Sequence, residues 1–423
     1  MIIPSIDLMN NTAVQLKQGK EKVLEQPNLK KLIKEFRLFP ETNVIDLDAA
    51  LSNGSIKKSN KELIKSLCKK LRCNVGGGIR SKELVYEYLR AGAKHIIVGT
   101  SANKEFLKSL PPSRVIVALD LKGGKLATHG WTKTKSINIK NQIKKLKNYC
   151  AGFLITNVDV EGLNKGANKN FIKKLAELKK EFNKRIIIAG GISEYKEIKE
   201  IEHQDLDCVL GMSIYTGKIN LNKALVNSID FEKSKSKLIP TIVQDENNQV
   251  LMLAYSSKFS LHKSLTTQYA TYFSRSRNKL WTKGESSGNK QKLTKITYDC
   301  DNDTLLFRVK QKGFACHKNT YSCFNKENKE FNLNYLKEFL KKRIDLKNKS
   351  NSISYTAKIA NNSEKLHKKI IEEAFEVTQA KSRAEKVWEV ADLTYFISIY
   401  MAKHNLTTKD ILNELSLRHT ELT

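Results

Sequence analysis

The sequence predicts a mixed α/β protein whose first 231 residues fold as a (β/α)8 barrel of the TIM type, followed by a small β-rich domain and an all-α domain. Three observations predict this order. Short apolar strands alternate with amphipathic helices, a set of motifs recurs about 113 residues apart, and the hydrophobic periodicity changes twice further along the chain. The chain has 423 residues, 40% of them apolar, which is enough for two or three packed cores.

The alternation of strands and helices occupies residues 1 to about 230 and is typical of a parallel sheet or barrel. The strand-like segments are Ile2–Ile6, Val44–Leu47, Ile96–Val98, Val115–Leu119, Phe153–Ile155, Ile186–Ala189 and Val209–Leu210. The helical stretches between them include Asn60–Leu71, Lys82–Ala91 and Asn170–Phe182.

An internal repeat shows how these units are organised. Four pairs of motif residues share nearly one spacing. They are Asp7 with Asp120, Asp46 with Asp159 and Gly77-Gly78 with Gly190-Gly191, each 113 residues apart, and Gly99 with Gly211, 112 apart. We therefore expect two half-barrels of four βα units each.

Two aspartates are the candidate catalytic residues of the barrel. Asp7 and Asp120 each end a strand, one in each half, and catalytic side chains of such barrels stand at the C-terminal ends of strands. The repeat thus places two carboxylates on opposite sides of one pocket. Such a pair suits acid–base catalysis when its surroundings separate the two pKa values. The alternative is that both aspartates are helix N-caps.

Glycine-rich turns predict two phosphate sites, because backbone N–H groups and the helix dipole favour an anion at a helix start. The expected phosphate-binding residues are Gly77, Gly78, Gly99, Thr100, Gly190, Gly191, Gly211 and Ser213. Two sites related by the repeat imply a substrate with a phosphate at each end.

With these motifs the barrel region resembles the phosphoribosyl-formimino aminoimidazole carboxamide ribotide isomerase family of histidine biosynthesis. The matching stretches are Ile2–Leu8, Val44–Ala50, Val75–Arg80, Val98–Thr100, Ala118–Lys125 with Gly130-Trp131, Ala189–Ser193 and Gly211–Ile219. The resemblance implies an Amadori rearrangement of an aminoaldose to an aminoketose, without a cofactor. It implies that Asp7 removes the sugar C2 proton and that Asp120 protonates the ring oxygen.

Three loop positions depart from that family's pattern. Gln15 stands for an arginine, Lys20 for an aspartate, and Glu161 for the aspartate before Gly162. The related cyclase barrel of the same pathway shares both aspartates and both phosphate turns, whereas the stretch Thr128–Trp131 favours the isomerase. A barrel with an inactive or altered site is a further alternative.

From about Lys237 to residue 325 the pattern changes to period-2 apolar segments with aromatic and glycine turns, which predicts a β-rich domain. Its densest group of acids is Asp299, Asp301 and Asp303. On a strand these three would share one face, as suits a hard cation such as Mg²⁺.

Three cysteines in this region are candidate zinc ligands. Cys300, Cys316 and Cys323 would leave a fourth coordination position open, which is typical of a catalytic zinc ion. The alternative for each cysteine alone is a buried small apolar residue.

These residues, with the stretches 238–245, 252–255, 273–277, 280–289 and 315–319, closely resemble phosphoribosyl-AMP cyclohydrolase. The resemblance covers about 237–325 and implies hydrolytic opening of the adenine ring at the N1–C6 bond. It also implies Zn²⁺ on the three cysteines, with Cys300 donated across a homodimer interface, and Mg²⁺ on the three aspartates. Arg275 and Lys283 are further candidates for phosphate contacts.

The last region, residues 350–423, shows long helical periodicity. Its acids fall on two predicted helices and are Glu372, Glu373 and Glu376, then Glu389 and Asp392. Facing helices with these carboxylates would hold Mg²⁺ to bridge a pyrophosphate, and the alternative is a solvated acidic face. The pattern resembles the all-α pyrophosphohydrolases, and Ser354–Lys358 points to the phosphoribosyl-ATP member.

Together the resemblances imply a multifunctional enzyme of three successive steps in histidine biosynthesis, acting on phosphoribosyl substrates that derive from ATP. The net charge is +31, but only 12 of the 75 basic residues are arginine, which favours solvated lysines and steering of anionic substrates. A basic nucleic-acid-binding protein is the alternative from another class. Scattered cysteines, the lack of an apolar run of about 18 residues and the lack of a signal-like start predict a cytoplasmic protein without membrane contact.

Overall fold

The computed structural model describes residues 1–17, 21–26, 28–52, 58–128, 131, 133–135, 137–324, 331–345 and 354–418. The chain divides into two compact units, one built on Met1–Lys326 and the other on Glu327–His419. Within the described part of the chain, every helix is too short or too polar to cross a bilayer.

The first part of the first unit is built from βα units. In chain order its strands are β1 (Ile2–Met9), β2 (Thr12–Lys17), β3 (Glu21–Gln26), β4 (Thr42–Asp46), β5 (Cys73–Gly76), β6 (His95–Val98), β7 (Val115–Lys122), β8 (Lys125–Thr128), β9 (Lys133–Lys135), β10 (Gly152–Asn157), β11 (Arg185–Ala189) and β12 (Asp207–Leu210). Its helices are α1 (Leu29–Phe36), α2 (Leu47–Leu51), α3 (Lys58–Cys68), α4 (Lys82–Arg90), α5 (Lys104–Lys108), α6 (Ile139–Leu146), α7 (Lys169–Phe182), α8 (Tyr195–His203), α9 (Met212–Tyr215) and α10 (Leu221–Ser228).

Eight parallel strands close into a barrel, in the order β1, β4, β5, β6, β7, β10, β11 and β12, with β12 pairing back to β1. The predicted barrel is therefore confirmed. The sequence pattern missed β5, because Asn74 separates its two apolar residues, Cys73 and Val75.

The two halves of the barrel repeat each other in structure. β1 and β7 are both eight residues long, and each turns back into an antiparallel hairpin, with β2 and β8 respectively. Asp7 pairs across its hairpin with Val14, and Asp120 pairs with Ala127. The repeat therefore places the two aspartates at equivalent positions in the two halves.

An apolar layer fills the barrel beneath these aspartates. Its buried members are Ile3, Ile97, Ile116, Leu154, Ile187 and Ala189. Because side chains of a strand alternate between its faces, Ile3 and Asp7 share one face of β1, and Ile116 and Asp120 share one face of β7. Burial of each isoleucine contributes roughly 1.5–3 kcal/mol, so this layer fixes the strands that carry the acids.

The rest of the first unit is a β-rich domain, as predicted. Its elements are β13 (Ile239–Gln244), β14 (Val250–Ser256), α11 (Lys258–Thr267), β15 (Thr271–Ser274), β16 (Lys279–Thr282), β17 (Gln291–Tyr298) and β18 (Leu305–Gln311). Four strands form one sheet in the order β14, β13, β18 and β17, and β15 pairs with β16.

This sheet domain binds the barrel at the end opposite to Asp7 and Asp120. The Ile296 N–H donates to the Leu38 carbonyl at 2.9 Å, and the Tyr298 hydroxyl donates to the Glu202 carboxylate. Leu38 precedes β4 and Glu202 precedes β12, so both contacts lie at the N-terminal ends of barrel strands. The C-terminal ends of the strands stay clear of these contacts.

The second unit is helical, with α12 (Leu333–Asp345), α13 (Tyr355–Asn361), α14 (Ser363–Gln379), α15 (Arg383–Lys403) and α16 (Thr408–Arg418). Its buried core residues are Leu340, Ile359, Ala360, Leu366, Phe396, Ile399 and Ala402. Asn362 caps α14, and Ser382 with Glu385 forms a capping box that begins α15. The short turn between α14 and α15 makes the two helices pack as neighbours.

Candidate active sites

A pocket of about 260 Å³ opens at the C-terminal ends of the barrel strands, with Asp7 and Asp120 on its wall. All eight residues that the sequence assigns to phosphate binding also line it: Gly77, Gly78, Gly99, Thr100, Gly190, Gly191, Gly211 and Ser213. Both aspartates lie within strands, so the alternative that they are helix N-caps is wrong. Asp46, which the repeat also marks, does cap a helix, because its side chain accepts the Ala49 N–H.

Asp7 lies on the pocket wall with two hydrogen-bond donors beside it. Its carboxylate accepts hydrogen bonds from Ser5 Oγ at 3.0 Å and from Gln15 Nε2 at 3.4 Å. Burial raises the pKa of Asp7 to about 6, although both hydrogen bonds oppose the shift. A carboxylate with a pKa near the working pH is suited to general base catalysis.

Asp120 is held by Trp131, whose indole N–H donates to Asp120 Oδ2 at 2.8 Å. Burial raises the pKa of Asp120, while hydrogen bonds from Trp131 and Thr156 oppose the rise. The sequence marked Trp131 only as part of a motif. His129 and Gly130 of that motif lie outside the described residues, as does Lys20.

Glu161 is a third carboxyl group of the same pocket. Burial, followed by repulsion from Asp7 and Asp120, raises the pKa of Glu161 to about 8. The protonated form of Glu161 is therefore favoured near neutral pH. Its Oε2 would lie only 3.1 Å from a Cβ on Gly190, so the glycine leaves room for this longer side chain. The sequence identified Glu161 only as a departure from the family pattern.

The glycine turns of the two halves have the same backbone conformation. Gly77 has φ of +97° and Gly190 has φ of +100°. A Cβ would lie 2.1 Å from the Asp46 carbonyl oxygen at the first position and 2.5 Å from the Asn157 carbonyl oxygen at the second. Glycine is therefore required at both positions.

One expectation about these turns is wrong. The Gly77 and Gly190 turns do not lie at helix starts, because α4 begins at Lys82 and α8 at Tyr195. The turns instead form the loops that precede those helices and line the pocket. Gly211, in contrast, is the N-cap of α9.

In the sheet domain, Asp299, Asp301 and Asp303 have carboxylate oxygens within 4.8 Å of one another. The prediction that they lie on a strand is wrong, because β17 ends at Tyr298 and β18 begins at Leu305. They form the hairpin turn between these strands. Asp299 Oδ1 fixes that turn by accepting the N–H groups of Asp303 and Thr304, both at 3.0 Å.

Two of the three candidate zinc ligands lie together. Hydrogen bonds from the Lys318 N–H and then from Thr320 lower the pKa of the Cys316 thiol, with a smaller contribution from Cys323. Burial, followed by the charge of Cys316, raises the pKa of Cys323. Two neighbouring thiols, of which Cys316 has a lowered pKa, suit a zinc ion.

Cys300 does not join this pair within one chain. It lies in the turn before β18, whereas Cys316 follows that strand. The seven residues of β18 span roughly 20 Å at about 3.3 Å per residue. Among the described residues, no group of three potential metal ligands includes a cysteine.

The two candidate phosphate contacts of this domain differ. The Arg275 guanidinium stacks over the Tyr255 ring at 3.8 Å and is exposed. Lys283 is 8% exposed and donates to the Ala315 carbonyl, next to Cys316. Burial lowers the pKa of Lys283, and the charges of Cys323 and Cys316 oppose the shift. Lys283 thus lies at the thiol pair.

In the helical unit, Glu373 and Glu376 on α14 and Glu389 on α15 have carboxylate oxygens within 4.8 Å of one another. Glu373 is only 5% exposed, and burial raises its pKa, with repulsion from Glu376 and Asp392 adding to the shift. Glu376 is exposed and Glu389 half-buried, so Glu373 is the buried member of the cluster. A buried carboxylate that neighbouring carboxylates repel suits a bound cation.

Glu372 is the predicted ligand that stands apart from this cluster. It is exposed and accepts a hydrogen bond from Lys369 Nζ at 2.7 Å. A pocket of about 640 Å³ reaches one of the predicted acids, Asp392, and is otherwise lined by Arg383, Lys386 and mainly apolar side chains.

Comparison with known families identifies the three regions. Residues 1–220 match the family described as "Histidine biosynthesis protein", residues 252–325 match "Phosphoribosyl-AMP cyclohydrolase", and residues 336–419 match "Phosphoribosyl-ATP pyrophosphohydrolase". The chain belongs to the histidine biosynthesis proteins. The predicted family and the order of the three domains are confirmed, and the chain is a multifunctional enzyme with isomerase, cyclohydrolase and pyrophosphohydrolase domains.

Curated relatives match different shares of this histidine biosynthesis chain. The bifunctional protein HisIE of Pyrococcus furiosus is 40% identical over 205 residues, which cover 46% of this chain and 97% of that protein. HisIE of Caldanaerobacter subterraneus is 45% identical over 195 residues, or 43% of this chain and 93% of that protein. The histidine biosynthesis trifunctional protein of Saccharomyces bayanus is 36% identical over 270 residues, or 62% of this chain, which spans only 33% of that relative.

Proposed function

We propose that the chain catalyses three successive steps. The helical domain, placed at 350–423, removes pyrophosphate from phosphoribosyl-ATP. The sheet domain, at 237–325, opens the adenine ring of phosphoribosyl-AMP by hydrolysis. The barrel, at 1–231, isomerises the resulting ribotide. The observation that carries this proposal furthest is the barrel pocket, which brings two carboxylates and two matched glycine turns together.

In the barrel, the two glycine turns hold the two phosphates of the substrate at opposite sides of the pocket. Asp120 donates a proton to the ring oxygen, the ring opens to a protonated imine, and Asp7 removes the C2 proton. The enolamine that forms takes up a proton at C1 and loses the proton of its C2 hydroxyl, which gives the aminoketose. Trp131 orients Asp120 through its indole N–H.

The raised pKa of Asp7 gives this reaction a defined pH dependence. Asp7 must be a carboxylate to accept the C2 proton, so kcat/KM for isomerisation should rise as pH increases through about 6. Initial rates between pH 4.5 and 8 measure this rise of kcat/KM with pH. Glu161→Gln is the matched control, because Glu161 has a pKa of about 8. In this variant kcat/KM should still rise through about pH 6. A profile that is flat across pH 6 would contradict the role of Asp7.

In the sheet domain, Cys316 and Cys323 would hold Zn²⁺ together with Cys300 of the partner subunit. Zinc, when bound, supplies the Lewis acidity that activates water for hydrolysis. The distance between Cys300 and the thiol pair within one chain, and the exposure of Cys300, support a homodimer through this domain. Lys283 fixes the turn that carries Cys316, and Asp299, Asp301 and Asp303 would hold Mg²⁺.

In the helical domain, Glu373, Glu376 and Glu389, with Asp392 near them, would hold Mg²⁺. Glu372, the remaining predicted ligand, would have to leave Lys369 to join them. The ion, when bound, would neutralise the charge that develops on a departing pyrophosphate. The lysine-rich surface and the cations Arg383 and Lys386 at the neighbouring pocket favour anionic substrates. Seven free cysteines suit a reducing compartment such as the cytoplasm.

Glu373→Gln tests the helical site. We expect pyrophosphate release to fall by about a hundredfold or more, because an amide is a weak ligand for Mg²⁺ at the most buried position of the cluster. Ring opening of supplied phosphoribosyl-AMP should be unchanged. Glu364→Gln, on the same helix but exposed and paired with Lys368 at 3.0 Å, is the control. Full release of pyrophosphate by Glu373→Gln would remove this residue from the site.

A further inference from the structure

The segment that follows the barrel is docked on the acidic turn of the sheet domain. It consists of Asp230 and one 3-10 turn, Phe231–Lys233, and its Phe231 side chain is buried. The Asp230 N–H donates to the Asn302 carbonyl at 2.8 Å, in the middle of the turn. The segment therefore has an anchor that does not depend on charge.

Beyond this anchor, Lys233 places its ammonium group among the turn's oxygens. Lys233 Nζ lies 2.6 Å from the Asp301 carbonyl oxygen, 2.8 Å from Asp301 Oδ2 and 3.5 Å from Asp303 Oδ2. A main-chain oxygen and two carboxylates around one cation form the kind of oxygen set that a hard metal ion takes. The turn thus fits a cation, and a side chain of the chain itself supplies one.

We propose that Lys233 is a built-in counter-ion of this turn, which a divalent ion has to displace in order to bind. The proposal rests on the assignment of Asp299, Asp301 and Asp303 to metal binding. Three clustered carboxylates repel one another, and Lys233 relieves that repulsion when the ion is absent. The end of the barrel domain thereby sets the metal affinity of the cyclohydrolase domain.

The size of the effect of Lys233 on divalent-ion affinity follows from the solvent exposure of Lys233 and Asp301. Lys233 and Asp301 are 38% and 58% exposed, so their attraction is screened. A unit positive charge close to an entering divalent ion adds repulsion even in water. Together these terms predict that removal of the lysine charge tightens divalent binding by about threefold to tenfold.

The test titrates the full-length chain with Mn²⁺ and follows the free ion by electron paramagnetic resonance. The binding step of the turn is the one that Asp301→Asn abolishes, which separates it from the acids of the helical domain. Lys233→Met should bind Mn²⁺ about threefold to tenfold more tightly at that step. Lys233→Arg keeps the charge and should stay close to the wild-type affinity.

Lys237→Met is the matched control, since Lys237 belongs to the same lysine-rich segment and pairs instead with Glu232 at 3.1 Å. Unchanged or weaker binding by Lys233→Met overturns the counter-ion proposal while the metal site stands. A Mn²⁺ isotherm that Asp301→Asn leaves unaltered overturns the metal site and the counter-ion proposal together.

Discussion

Asp120→Asn should lower kcat for isomerisation by about a thousandfold, the size of effect that loss of a general acid commonly has. The amide keeps the shape of the side chain and can still accept the Trp131 indole N–H, which lies 2.8 Å from Asp120 Oδ2. It cannot deliver a proton to the ring oxygen. The loss is measured with the purified variant and the aminoaldose ribotide as substrate. Opening of the adenine ring and release of pyrophosphate should remain at wild-type rates.

Asp159→Asn is the control for this variant. Asp159 lies in the same half of the barrel, but it is exposed and accepts the Gly123 N–H at 2.8 Å. We expect isomerisation to survive this change. If Asp120→Asn isomerises at close to the wild-type rate, the proton comes from elsewhere, and Glu161 is the next candidate because its pKa of about 8 keeps it protonated.

Cys316→Ser should abolish both zinc binding and ring opening. A serine hydroxyl is a poor zinc ligand, and Cys316 is the thiol whose pKa is lowered by hydrogen bonds from Lys318 and Thr320. Metal analysis of the purified chain measures the zinc directly. Cys68→Ala removes a buried barrel thiol instead and should leave the zinc content unchanged. Stoichiometric zinc in Cys316→Ser would remove this cysteine from the ligand set.

The shared zinc site gives the same variant a second use. Cys300→Ser keeps the thiol pair of its own chain, and Cys316→Ser keeps Cys300 to offer to a partner. Mixed dimers of the two variants therefore contain one complete site. Random re-association of equal amounts should restore about a quarter of the ring-opening activity, whereas ligands drawn from one chain would restore none.

The barrel could be predicted in detail because its motif residues occur twice in the sequence. The spacing of 113 residues between Asp7 and Asp120 marks equivalent positions, and no single motif carries that information. The apolar pattern of strands was also sufficient for seven of the eight barrel strands. It failed at Cys73–Gly76, where Asn74 separates the two apolar residues of the strand.

Other features depend on packing and could not be predicted. The period-2 spacing of Asp299, Asp301 and Asp303 is compatible with a strand and with a hairpin turn. These residues form a turn because the strands on either side of them, β17 and β18, pair with each other. The face of α14 that meets α15 decides that Glu373 rather than Glu372 joins the cluster. The contact of Lys233 with Asp301 joins segments 68 residues apart, beyond the reach of any local pattern.

The most direct test of three activities in one chain is a single reaction in which the purified protein, with Mg²⁺ and Zn²⁺, is supplied only with phosphoribosyl-ATP. Pyrophosphate, the ring-opened ribotide and the aminoketose ribotide are separated and identified by mass over time. We expect all three to appear in that order, with the aminoketose as the final product. Accumulation of the ring-opened aminoaldose without any aminoketose would contradict an active isomerase barrel, and absence of pyrophosphate would contradict the first step.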